Sequence, residues 1–198
     1  MMNSCLRRFN CFIFLLISFV SINSSVEARD YGFWLSRGEG LAILGSQQEH
    51  DFVKFDFFAS DVLFAPDALY SSKESFSIHD WEWSVAATGG WETAPKNDRY
   101  FIALSPFIRH YWRSGRQWRP FVELSIGLSQ SDIGRPDLSS NFNFIDQIGF
   151  GTKIHQADSD WSHWIIFRWV HLSNAGLYPP NLGTNTLSVV WGMSWGDR

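Results

Sequence analysis

The sequence has 198 residues, 17% aromatic (11 Trp, 18 Phe, 5 Tyr) and only 18% charged. Both cysteines, Cys5 and Cys11, precede Arg29, so the chain from Arg29 onward offers neither a disulfide scaffold nor a thiol nucleophile. Setting aside Arg7, Arg8 and Glu27, 14 basic residues face 19 acidic ones, a net charge of −5, which excludes the basic footprint of a nucleic-acid-binding protein.

In chain order, residues 1–28 read as a secretory signal. Arg7 and Arg8 form its positive end, Phe12 to Val20 its apolar stretch, and Val26-Glu27-Ala28 a small-residue cleavage site. Residues 29–198 are then expected to form one domain, a length suited to a single core. No segment beyond the signal offers the ~18 uninterrupted apolar residues of a membrane-spanning helix. An exported chain of this kind is either soluble or a membrane β-barrel, and the aromatic excess favours the barrel.

Runs of alternating residues punctuated by polar turns predict strands at Leu41–Gln47, Phe52–Ala59, Asp80–Trp91, Tyr100–Trp112, Arg119–Gln130, Phe142–His155, Trp161–Ser173 and Asn185–Trp195. Short and long connections roughly alternate, as in an eight-stranded antiparallel transmembrane β-barrel of the bacterial outer membrane. The faces are more informative than the count. In the fifth strand Val122, Leu124, Ile126 and Leu128 share one side, while Glu123, Ser125, Gly127 and Ser129 share the other. The last strand repeats this, with Leu187, Val189, Trp191, Met193 and Trp195 opposite Thr186, Ser188, Val190, Gly192 and Ser194. Large apolar residues thus face outward and small or polar ones inward, the reverse of a soluble barrel that binds an apolar ligand.

The seventh strand holds the one arrangement with catalytic potential. Ile165, Phe167, Trp169, His171 and Ser173 lie on one face by the two-residue period, and Arg168 lies on the other. On an extended strand the Cβ atoms of His171 and Ser173 are roughly 7 Å apart, a span that an imidazole and a hydroxyl can close as base and nucleophile. With the amino terminus on the periplasmic side, odd-numbered strands run outward. His171 and Ser173 would then meet the outer leaflet, where lipopolysaccharide lies. The remaining histidines, His50, His79, His110, His155 and His163, show no metal-ligand spacing.

The string His171-Leu172-Ser173-Asn174-Ala175-Gly176-Leu177, followed by Pro180-Asn181-Leu182-Gly183, resembles the active-site segment of the PagL-type lipid A 3-O-deacylases. Arg119-Pro120-Phe121-Val122-Glu123, Ile126-Gly127 and Asn141 to Gly149 resemble the preceding strands of that family, so the likeness runs from about Arg119 to Trp195. The resemblance implies a serine esterase in an eight-stranded outer-membrane barrel, needing no metal or organic cofactor and acting on lipid A or lipopolysaccharide among membrane lipids. It gives no choice between monomer and homodimer. It assigns Ser173 as nucleophile and His171 as general base, and offers Asn174 or Asn181, with a backbone N–H around Gly176, to the oxyanion. The family's acidic third member falls where this chain has Asn185. An asparagine still orients the imidazole but brings no charge, so the alternative expectation is a catalytically weak or silent structural barrel of the same fold. Asp146, at the outer end of the sixth strand, is the alternative acid.

Overall fold

The computed structural model describes residues 30–40, 51–60, 81–92, 99–112, 117–134, 137–157 and 159–196. The signal expected at 1–28 and the strand expected at Leu41–Gln47 both lie outside them. Eight strands are formed: β1 Asp30–Gly40, β2 Phe52–Ser60, β3 Trp81–Glu92, β4 Tyr100–Tyr111, β5 Trp118–Ser131, β6 Phe142–His155, β7 Trp161–Ser173 and β8 Thr184–Gly196. They pair antiparallel in chain order, and β1 closes the barrel on β8. The ends of the odd-numbered strands define an upper rim.

β2 to β8 fall within a few residues of the expected strands, but the first strand is a correction. Asp30–Gly40, which the alternation rule passes over, is the strand that closes the barrel. Its polarity is unusual, because Trp34 points inward while Arg37 and Glu39 point outward. Glycines on β1 and β8 explain how so large a ring is accommodated, because a Cβ on Gly192, the ladder partner of Trp34 on β8, would run into Trp34 Cδ1. A Cβ on Gly32 would lie 2.6 Å from the ring of Phe58, and Phe58 stacks on Trp34 at 4.0 Å.

Following ladder partners from Asp30 through Ser60, Ser84, Phe107, Ser125, Gln147, Val170 and Thr186 leads back to β1 at Gly40, ten residues further on. Eight strands with that stagger tilt by about 40° from the barrel axis. Residues opposite one another in a ladder are therefore not at equal height.

The lumen is filled, and it is more aromatic than the sequence pattern suggests. Trp34, Phe58, Phe107, Tyr111, Phe121 and Trp164 form one inner cluster, and Phe52, Phe101, Ile133, Leu138, Ile145, Val170 and Leu172 another. Between the rings run buried ions. Glu123 accepts from Arg109 Nε at 2.9 Å and from Arg168 Nε at 2.7 Å, Glu82 accepts from Arg109 Nη1 at 2.8 Å and from Tyr111 OH at 2.9 Å, and Lys153 pairs with Asp30. Both guanidinium groups sit 4.8 Å from the Trp34 ring. Interior positions of a small barrel must be filled by side chains, and stacking on aromatic faces lets arginines occupy them without bulk water.

Away from the upper end of β1 the outer wall is largely apolar. Leu104, Val122, Leu124, Ile126, Leu128, Ile148, Phe150, Ile165, Phe167, Leu187 and Val189 are all exposed, flanked by Trp112, Trp118, Trp161 and Trp195 at one rim and by Trp91, Phe142 and Tyr178 at the other. Such a surface is stable only against hydrocarbon, with tryptophan and tyrosine at the interfaces. Val189 is 55% exposed, whereas its neighbour Ser188 is fully buried and lies opposite Arg168. Val189→Asp should therefore lower the stability of the inserted barrel by on the order of 2 kcal/mol, and Ser188→Asp, whose carboxylate faces a guanidinium, by less. Comparing urea unfolding of the two variants in lipid vesicles checks the assignment of faces, and equal tolerance would invert it.

Candidate active site

The site is built where β6, β7 and β8 reach the upper rim. Register places Asp146 of β6 opposite His171 of β7, and His171 opposite Asn185 of β8. All three belong to the outward-facing set of their strands, together with Ser173, which lies opposite Phe144. Asn185 is nonetheless buried.

Asn185 Oδ1 accepts a hydrogen bond from His171 Nδ1 at 3.0 Å. With that oxygen against the ring, Nδ1 carries the proton, and the lone pair is left on Nε2. Two further contacts fix the ring. Trp169, two residues earlier on the same face, stacks with it at 5.7 Å and an interplanar angle of 15°. On another side lies the backbone of Gly183, where an added Cβ would sit 2.6 Å from His171 Cε1. Gly183 also has φ of 74°, a left-handed conformation that side chains other than glycine resist, and its N–H donates to Asp137 O at 3.0 Å. A residue with a side chain here would displace the imidazole. Among the described residues no hydrogen bond joins Ser173 Oγ to His171, and Asp146 makes none to the ring either.

The loop after β7 is organised by Asn174, which is buried. Its Nδ2 donates to Tyr178 O at 2.8 Å and Ser139 Oγ at 3.3 Å, and its Oδ1 accepts from Gly176 N–H at 3.0 Å. Ser139 in turn donates to Tyr178 O. Ala175 and Gly176 both have left-handed φ, 54° and 76°, as the tight reversal demands. The Gly176 N–H and the whole amide of Asn174 are thus committed within the loop. Asn181 is used differently. Its Oδ1 accepts from Asn174 N–H at 2.9 Å, which holds the side chain next to the backbone that follows Ser173, and among the described residues its Nδ2 has no partner.

The sequence pattern assigns no role to Asp137, Trp169 and Gly183, which hold the histidine and its loop. Of the other histidines, His110 packs against Trp81 with ring centroids 4.7 Å apart and planes tilted by 37°, and His155 Nδ1 shares a 2.8 Å hydrogen bond with Ser162 Oγ. That second Ser/His pair is inward-facing, and its serine is buried, so no membrane lipid reaches it. His50 and His79 lie outside the described residues.

The family model described as "Lipid A 3-O-deacylase (PagL)" matches residues 68–194. The Lipid A deacylase PagL of Pseudomonas aeruginosa is 34% identical over 106 residues, 52% of this chain and 56% of that protein, so the match spans little more than half of the relative's length. Among solved structures, the outer membrane enzyme PagL superposes with a TM-score of 0.59 at 20% identity, covering 81% of this chain and 97% of that one. Neisserial surface protein A superposes equally well, with a TM-score of 0.59 at 10% identity over 86% and 98% of the two chains. At such identities the superpositions speak for the barrel alone, since a fold hosts many functions.

Proposed function

From the premise that the chain belongs to the lipid A 3-O-deacylase (PagL) family and is a bacterial outer-membrane β-barrel, we propose that it hydrolyses the 3-O-linked acyl ester of lipid A by a Ser/His mechanism, with the site turned to the outer leaflet. The observation that carries this reading is the 3.0 Å bond from His171 Nδ1 to Asn185 Oδ1 on the outward face of the wall. It fixes the tautomer in which Nε2 is a base, beside the serine two residues on.

In this reading the acyl chain of a lipid lying against β6, β7 and β8 brings its ester to Ser173. Oγ attacks the carbonyl carbon as its proton passes to Nε2, and the carbonyl oxygen becomes the oxyanion. Asn181 Nδ2 is the donor we assign to it, because Asn174 and Gly176 are engaged in the loop. The tetrahedral intermediate collapses, the sugar oxygen leaves with the proton from the imidazolium, and the acyl group stays on Ser173. Water, deprotonated by the same Nε2, then releases the fatty acid. No step draws on a group outside the chain except water. Asn185 orients the ring throughout but contributes no negative charge, so the imidazolium is less stabilised than beside a carboxylate.

Mass spectrometry of lipid A from cells with and without the protein tests the proposal. The expected result is the loss of one hydroxyacyl chain from the 3 position. Unchanged lipid A in cells holding the folded barrel would instead support the second reading, a structural barrel silenced at Asn185.

A further inference from the structure

The outward face of β1 breaks the pattern of the wall. Tyr31, Phe33 and Leu35 continue the apolar surface, but the next two outward positions are Arg37 and Glu39, both exposed. The other strand cations, Lys54, Arg109, Arg119, Lys153 and Arg168, sit on inward-facing positions. Arg37 is therefore the one cation that the described strands turn toward lipid. Among the described residues it makes no hydrogen bond and no ion pair, not even with Glu39.

A guanidinium facing hydrocarbon is costly at mid-membrane and nearly free at headgroup level, so its height matters. Arg37 lies opposite Val189, which lies opposite Phe167. His171 is four residues above Phe167 on β7, a rise of about 10 Å along the barrel axis at this tilt. Crossing from β7 to β1 in the direction of the stagger climbs about 6 Å. Arg37 consequently sits only about 4 Å deeper than His171, and Glu39 is almost level with it. Across the wall the Cα atoms of Arg37 and His171 are about 16 Å apart, a span bridged by an arginine arm and the body of a disaccharide headgroup. The arm starts between Val53 and Val189, its ladder partners, where its methylenes can lie on apolar wall while the fork reaches up to the headgroups.

We infer that Arg37 binds a phosphate of the glycolipid whose ester is presented to Ser173, so that it fixes which end of a phosphorylated disaccharide lies over β7 and which over β1. The inference rests on the deacylase reading. A planar fork with parallel donors suits a phosphate oxygen pair, and a partly dehydrated position strengthens the contact. Glu39 repels the same phosphate and confines it to the side of Arg37.

The test uses the full-length protein in detergent micelles, with bisphosphorylated lipid A and the same lipid with its phosphates chemically removed. Arg37→Gln should raise KM for the phosphorylated lipid roughly tenfold with kcat changed by less than about twofold, and leave both unchanged for the dephosphorylated lipid. Arg37→Lys should recover part of the loss, and Glu39→Gln should lower KM. An equal effect of Arg37→Gln on both lipids, or none on either, overturns the inference while leaving the deacylase reading intact. Retention of each lipid by the folded barrel, measured by native mass spectrometry, decides the matter without turnover. If wild type hydrolyses neither lipid but Arg37→Gln selectively loses the phosphorylated one, the deacylase reading fails and the phosphate site stands. Equal retention by wild type and Arg37→Gln removes it.

Discussion

Ser173→Ala and His171→Ala are each expected to abolish acyl release, a loss of at least about 10⁴-fold in kcat, in a barrel that remains folded. Both side chains project from the outer wall at the rim and take no part in the lumenal network. Their removal opens no cavity in the core and strands no buried ion. The double variant should be no slower than either single one, because nucleophile and base act as a unit. Single-turnover release of fatty acid from lipid A in micelles measures the loss, and heat-modifiable migration on gels reports the fold. Retained turnover in Ser173→Ala would remove the nucleophile assignment, and with it the covalent mechanism.

Asn185→Glu is expected to raise kcat by roughly 10²-fold, about 2.7 kcal/mol of transition-state stabilisation, with KM little changed. The imidazole is already held in the right tautomer by Asn185 Oδ1, so the gain comes from charge and not from geometry. A carboxylate beside the ring acts on the imidazolium that forms as Ser173 attacks, and hardly at all on the neutral resting state. Asp146, opposite His171 on the other side, gives the competing outcome. If Asn185→Glu slows a wild type that is already fast, while Asp146→Asn silences it, then Asp146 is the orienting acid. If neither wild type nor Asn185→Glu releases acyl chains from a folded barrel, the structural reading prevails.

Much of this arrangement was legible in the sequence, because a strand's two-residue period turns side-chain identity into direction. β5 and β8 announce their faces, and with them the barrel. The same period places His171, Ser173 and Asn185 on the outside. β1 was illegible for the opposite reason, since it sends a tryptophan inward and two charges outward, and the space for that tryptophan belongs to Gly192 on another strand. The lumenal rings were hidden because alternation says which side a residue faces but not what that side contains. Asn174 and Asn181 were indistinguishable as oxyanion donors until the loop showed which amide its own backbone uses. Gly183 looks like any loop glycine until the imidazole beside it is seen.

The pairing of Lys153 with Asp30 joins residues separated by 123 positions in the chain. Arg109 and Glu123, by contrast, are 14 apart and meet across a single hairpin. Pairs of the second kind form as each hairpin zips, at small cost in chain entropy, whereas the first requires β1 and β6 to be enclosed in the same cylinder. Glu82 on β3 stands 3.9 Å from the same ammonium, but Lys153 gains its nearer carboxylate, Asp30, only once the seam between β1 and β8 is in place. Until then that ammonium group lies on the inner face of an open, half-rolled sheet. The barrel therefore closes on a charge whose tightest pairing waits for closure, which makes the pairing of β1 with β8 a latch, set from the inside by an ion pair.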